Sequence, residues 1–322
     1  MTQLYKNLPL GARLMVIFAL LVFNYIFFPF VASLFIVPFY SIDNINSIIT
    51  GNITTETDKY IFLLIQGVGS LGAFAFTALL VAQMETGFVA KRLGLNLKPT
   101  AKILTVTIFG ILVAQVLIQF LVQINQLIPL PAGLKFLEEQ GKQSEKITDA
   151  VLKGNSLMLF LSNAIVLAVI PAIGEEFFFR GLILGDLLKS KINPAIAIIS
   201  TGLLFSISHL EFENLLAIWL LGSFLGYVYY ISGSLWVSVA AHFTNNFLLI
   251  VFKYLYNNGY LNNDIAEATF PLYSAFISAA LFAGCFYILG KWRRPIDFTV
   301  QLSAPDFAAE EEYEYTDTDN FS

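Results

Sequence analysis

The sequence predicts an all-α, polytopic integral membrane protein of about eight transmembrane helices, and three observations carry that expectation. Hydrophobic residues make up 57% of the 322-residue chain and charged residues 13%, against roughly 25% charged in a soluble domain. Eight apolar runs come close to or exceed the ~20 residues that a helix needs to cross the hydrocarbon core. Lys and Arg concentrate in alternate connecting segments, as orientation by the positive-inside rule requires.

The first run, 14–39, follows Lys6 and Arg13. It is too long for the apolar region of a signal peptide and no small-x-small cleavage site follows, so it reads as a retained helix. Runs 60–82 and 102–124 enclose a basic loop with Lys91, Arg92, Lys98 and Lys102. Segment 132–155 is amphipathic and mixed in charge (Lys135, Glu138, Glu139, Lys142, Glu145, Lys146) and is expected to lie along the outer interface. Runs 156–188 and 193–210 are joined by Lys189 and Lys191, runs 214–231 and 234–256 follow, and the last, 269–290, precedes Lys291, Arg293 and Arg294. The segments between the basic ones (40–59, 125–155, 211–213, 257–268) are poorer or mixed. An even number of spans in the plasma (inner) membrane, with both termini cytoplasmic, satisfies every loop.

This gives a cytoplasmic N-terminus (1–13), three accessory helices (14–131), an external amphipathic segment (132–155), a polar-span core of helices four to seven (156–256), an eighth helix with its flanks (257–294) and an acidic, disordered cytoplasmic tail (295–322). The formal net charge of −5 misleads about partners. Seven acidic residues and no Lys or Arg lie in 306–322, and without them 16 acidic residues face 18 basic ones. Nothing points to nucleic acid; the partners this reading implies are the bilayer and a membrane-associated substrate. The single cysteine, Cys285, lies in an apolar run, so one chain offers neither a disulfide nor a cysteine metal site.

Three of the runs carry ionisable side chains in their cores, and the others carry none. Such groups cost roughly 2.5–3.5 kcal/mol each at bilayer depth even on the lenient insertion scale, so they need partners and usually mark function. The fourth run holds Glu175, Glu176 and Arg180. Glu176 and Arg180 are four apart and meet on one helix face, whereas adjacent residues point about 100° apart, which directs Glu175 to a different neighbour. The pair either fixes helix register or supports a reactive Glu175. The fifth run holds Phe205 and His209 on one face, so that the ring walls one side of the imidazole; a histidine near a helix end is also a common interfacial residue. The seventh holds His242 and Asn246, four apart and projecting together, as an oxygen-binding pair or as interhelical polar glue. Asn245 points elsewhere and suits the glue role.

A carboxylate, two imidazoles and an amide suit hydrolysis of a peptide bond by an activated water, with donors for the developing oxyanion. Glu175, His209 and His242 are equally a competent set for Zn2+ or another divalent metal. Spacing leaves both the metal-bound and the metal-free water open. A proton-relay transporter is a rival, although a relay has no need of the His-x-x-x-Asn pair. At 1.5 Å per residue, Glu175 lies roughly 20 Å from the cytoplasmic end of its span, His242 about 12 Å into its span and His209 about 24 Å into its span. Their convergence needs helices that tilt, break or begin at unequal levels.

In order, Glu-Glu-x-x-x-Arg (175–180), Phe-x-x-x-His (205–209) and His-x-x-x-Asn (242–246), each in an apolar helix, resemble the CAAX prenyl endopeptidase and bacteriocin-processing family of intramembrane proteases. The likeness covers roughly 156–250. It implies that Glu175 is the general base that activates water, that His209 orients or coordinates that water, and that His242 and Asn246 form the oxyanion pair. His242 is also the third ligand if metal binds, and Glu176 and Arg180 are the supporting pair. The site is expected to open toward the cytoplasm. The family also includes immunity proteins, so a non-catalytic partner-binding role stands as the alternative. No His-Glu-x-x-His or Gly-x-Ser-x-Gly signature is present, and Asp186 has no second intramembrane aspartate beside it.

Overall fold

The computed structural model describes residues 5, 7–262, 270–294 and 296–302. The expected acidic tail lies outside the described residues from 303 onward, as does part of the segment 257–268. Among the described residues every regular element is helical. The principal helices are α1 (Leu10–Ile36), α2 (Glu56–Thr86), α3 (Ala101–Gln126), α4 (Lys135–Leu152), α5 (Leu157–Lys189), α6 (Pro194–Ser208), α7 (Leu215–Ser232), α8 (Leu235–Asn257) and α9 (Leu272–Lys291). All but α4 and α6 are long and apolar enough to cross a membrane; α6 has 15 residues. The expectation of about eight spans holds, and the amphipathic segment is helical as α4.

Lipid rather than water is the natural neighbour of this surface. The outer face of α1 exposes Phe18, Phe23, Phe27, Phe30 and Phe35, a continuous apolar strip far larger than a soluble monomer presents. Between helices, small residues set close approach, as in other membrane bundles. Phe28 of α1 seats over Gly72 of α2, where an added Cβ would fall 2.0 Å from its ring, and buried Asn24 donates to Thr77 Oγ1 at 2.8 Å. In the α6–α7 hairpin a Cβ on Gly202 would lie 2.5 Å from Ser223 Oγ. Gly233, at φ 67°, ends α7 in the left-handed region, and one residue later α8 begins with Leu235 donating its N–H to Gly94 O at 3.0 Å.

α5 is the axis of the molecule, and it is not a regular α-helix. Residues Ala164–Val169 and Phe177–Leu184 are π-helical and bracket the α-helical Ile170–Glu176. α2 has one such stretch, Leu71–Phe76, which packs against α5 where a Cβ on Gly174 would meet Phe74 Cβ at 3.3 Å. π-turns offset the backbone by one residue and recur at functional sites. Residues from Phe177 through Asp186 are all buried.

A second polar cluster holds the end of α5. Arg92, read from the sequence as a loop cation, is fully buried. It is bonded to the carboxylates of Glu85 and Asp186 and donates to Gly181 O at 2.8 Å. Lys189 is paired with Glu85, and Arg13 lies 3.7 Å from Glu85 and 3.8 Å from Asp186. Asp186 is therefore matched by basic partners from the α2–α3 loop and α1 rather than by a second acid. Buried Tyr5, Phe298 and Leu302 pack into the same apolar core, so chain segments before α1 and after α9 close over this end of α5.

Candidate active site

Glu175 and Glu176 stand at the junction between the middle α-helical stretch of α5 and its second π-turn. Glu176 and Arg180 are both fully buried, and Arg180 Nη1 donates to Glu176 Oε1 at 2.6 Å. Arg180 Nη2 donates to Gly222 O of α7 at 2.8 Å, and its guanidinium carbon lies 4.5 Å from the centre of the Phe205 ring. The i, i+4 pair expected from the sequence is thus present, anchored on a third helix.

His242 of α8 completes that pair. Its Nδ1 lies 2.9 Å from Glu176 Oε1, the same oxygen that Arg180 engages. The Glu176 carboxylate accepts, so Nδ1 carries the proton and Nε2 is turned away from Glu176. Nε2 faces Glu175, 3.9 Å from its Oε2. The Glu175 side chain is 14% exposed, yet Oε2 is buried and has no hydrogen-bond partner among the described residues. One carboxylate is structural and locked; its neighbour is free.

His209 follows the last residue of α6, and its Nδ1 is paired with Phe205 O at 2.8 Å, which leaves Nε2 as its outward atom. Phe205 is the hub of the site. Its ring meets those of His209 at 4.7 Å, His242 at 5.7 Å and Phe179 at 5.1 Å between centroids, all edge-on. The short α6 answers the depth problem, because it ends where His209 can join residues from the middle of α5. The end it reaches is that of α4. Just past His209, Glu211 accepts from Ser144 of α4 at 2.7 Å, and Asn125 at the end of α3 donates to Phe212 O at 2.7 Å. The His209 edge of the site therefore lies at the opposite end of α6 from Lys189–Lys191.

Asn246 Nδ2 donates to Leu167 O in the first π-turn of α5 at 3.3 Å. Pro171 stands four residues after Leu167 and has no N–H to offer that carbonyl. Asn245 donates to Asn246 Oδ1 at 3.2 Å and accepts from Gln115 of α3 at 3.1 Å. Asn245 is thus an interhelical link, as expected. Gln115, one of three glutamines in the apolar run 102–124 with Gln119 and Gln123, escaped the sequence reading, and nothing local sets it apart from the other two.

The proposed metal set of Glu175, His209 and His242 is not drawn into one group. Among the described residues no three His, Cys, Asp or Glu side chains are arranged to hold a metal ion. Both imidazoles meet the Phe205 ring edge-on, and His209 Nδ1 is tied back to its own helix. Glu175 Oε2 and His242 Nε2 remain as a facing pair, too few for the three protein ligands of a catalytic zinc site.

Comparison with curated proteins and with solved structures returns no match. Against protein families, residues 157–248 match the model described as type II CAAX prenyl endopeptidase Rce1-like. That stretch begins with α5, includes α6 and α7 and ends within α8, so it contains every side chain of the site described above except Gln115, Asn125 and Ser144. Residues 157–248 are accordingly similar to the Rce1-like domain of type II CAAX prenyl endopeptidases, the likeness that the three spaced motifs implied.

Proposed function

We propose that this protein is an intramembrane endopeptidase that hydrolyses a peptide bond in a membrane-associated protein or peptide, with Glu175 as the base that activates water. The observation that carries the reading is the free, buried Glu175 Oε2 facing His242 Nε2 at 3.9 Å, beside a Glu176 carboxylate already committed to Arg180 and His242. A water between these atoms gives up its proton to Glu175 and attacks the scissile carbonyl. That carbonyl's oxygen takes hydrogen bonds from the Asn246 amide and from His242 as an imidazolium, its Nε2 proton taken from solvent before the attack. Glu175 then passes the water's proton to the leaving amine as the C–N bond breaks. His209 lines the α6 side of the site, across the Phe205 ring that both imidazoles meet. Arg180 and Glu176 keep His242 in one tautomer and one orientation, a role typical of residues one layer behind a reacting imidazole. The donor geometry favours a metal-free water, since among the described residues no third His, Cys, Asp or Glu side chain is arranged with Glu175 and His242 to hold a metal ion.

In this proposal the protein lies in the plasma (inner) membrane with both termini cytoplasmic, and the lipid bilayer and the anchored substrate are its partners. The family description points to a substrate ending in a prenylated cysteine motif. The test is incubation of the purified protein, in liposomes, with a prenylated CAAX peptide and with its unprenylated twin, and mass measurement of the products. Release of the terminal tripeptide by wild type and not by Glu175→Gln is the expected result. Protection or partner binding that survives Glu175→Ala and His209→Ala, with no cleavage of either peptide, would instead make the protein a non-catalytic binder.

A further inference from the structure

We infer that Gln115 of α3 is a positioning residue for Asn246, acting through Asn245, so that the site depends on a helix outside the matched domain. Three side-chain amides stand in line. Gln115 Nε2 donates to Asn245 Oδ1 at 3.1 Å, Asn245 Nδ2 donates to Asn246 Oδ1 at 3.2 Å, and Asn246 Nδ2 donates to Leu167 O at 3.3 Å. An amide can be turned end for end, and its orientation must be read from what surrounds it. Here both ends of the line are backbone carbonyls, which only accept. Gln115 Nε2 also donates to Ile111 O at 3.0 Å, and Leu167 O closes the other end. Ile111 O fixes the direction at Gln115, and the contact to Leu167 O, at 3.3 Å the longest of the line, runs the same way but holds Asn246 less firmly by itself. Turning any one amide would set oxygen against oxygen, so the whole line has one polarity.

The consequence falls on Asn246. Its Oδ1 is held toward Asn245 and its NH2 toward α5, the helix that carries Glu175. Pro171 has no N–H, so Leu167 O lacks the i+4 donor that an ordinary α-helix would supply. Without the line Asn246 could present its oxygen instead, which repels rather than binds a developing oxyanion. Gln115 is half-buried in the apolar run between Ala114 and Val116, where an amide is costly unless partnered. Neither Gln115 nor Asn245 touches the reacting volume; they act through Asn246.

This inference rests on Asn246 as an oxyanion donor, and its test separates the two claims. The first readout needs no substrate. In full-length protein labelled with 15N-asparagine in detergent, the side-chain amide signals of Asn246, assigned by their loss in Asn246→Ala, should shift in Gln115→Met. The second is kinetic, with a prenylated CAAX peptide. Gln115→Met should lower kcat about 10- to 100-fold with KM changed less than about twofold, because a misdirected donor costs transition-state rather than substrate binding. In the Asn246→Ala background the same substitution should change kcat no further. Asn245→Asp, which still accepts from Gln115 but cannot donate to Asn246, should reproduce both effects if Gln115→Met does not fold. Unshifted amide signals would overturn the inference, and so would a Gln115 effect that persists undiminished without Asn246. A wild type that cleaves no peptide would sink the protease reading, while the amide signals would still decide the relay.

Discussion

His242 Nδ1 and Arg180 Nη1 share one acceptor, Glu176 Oε1, at 2.9 and 2.6 Å. This single oxygen joins the Glu-Glu-x-x-x-Arg motif of α5 to the His-x-x-x-Asn motif of α8. It makes Glu176 the fulcrum of the site and leaves Glu175 unencumbered.

Removing either member of the buried pair should therefore strip stability and activity together. Arg180→Leu leaves the fully buried Glu176 carboxylate without its cation and with only the His242 N–H as partner, a change worth about 3–5 kcal/mol in comparable buried pairs. Thermal unfolding in detergent should show a lower Tm and a reduced yield. An unchanged Tm would mean that the pair carries no structural weight.

The cluster around Arg92 predicts a different split. Arg92→Leu strands Glu85 and Asp186 beside each other in the bundle, with Lys189 and Arg13 as partial compensation for their charge. The loss should again be about 3–5 kcal/mol, seen as a lower Tm and lower abundance. Turnover per folded molecule should stay near wild type, because none of these groups contacts Glu175, His209 or His242. A selective fall in kcat with Tm intact would place the cluster in the chemistry instead.

Metal dependence gives a third prediction. With only Glu175 and His242 facing one another and His209 bonded to its own helix, cleavage should survive dialysis against a strong chelator. Activity lost on chelation and restored by stoichiometric Zn2+ would show that the three side chains close around an ion.

The three motifs were legible in the sequence because helical periodicity alone brings residues four apart together. That is how Glu176 met Arg180, and how the Phe205 ring met His209. The same reasoning separated Asn245 from Asn246. Contacts between distant segments were not legible. Nothing local to Arg92 tells that it will be buried against Asp186, and a basic loop residue is ordinarily exposed. The π-turns in α5 are likewise invisible to hydropathy, which is indifferent to a one-residue change in hydrogen-bond register. Pro171 within a long apolar run was the one available sign that a backbone carbonyl would be left to find another donor.

The account comes down to Glu175, and its most direct measurement is the single-turnover rate of Glu175→Gln, the isosteric loss of the base. The rate should fall by about 10²- to 10⁴-fold, the usual worth of a positioned general base, while Tm and peptide affinity stay at wild-type values, since Glu175 Oε2 bonds to nothing among the described residues. A variant that is folded, binds the peptide and still cleaves it at the wild-type rate would contradict the central claim.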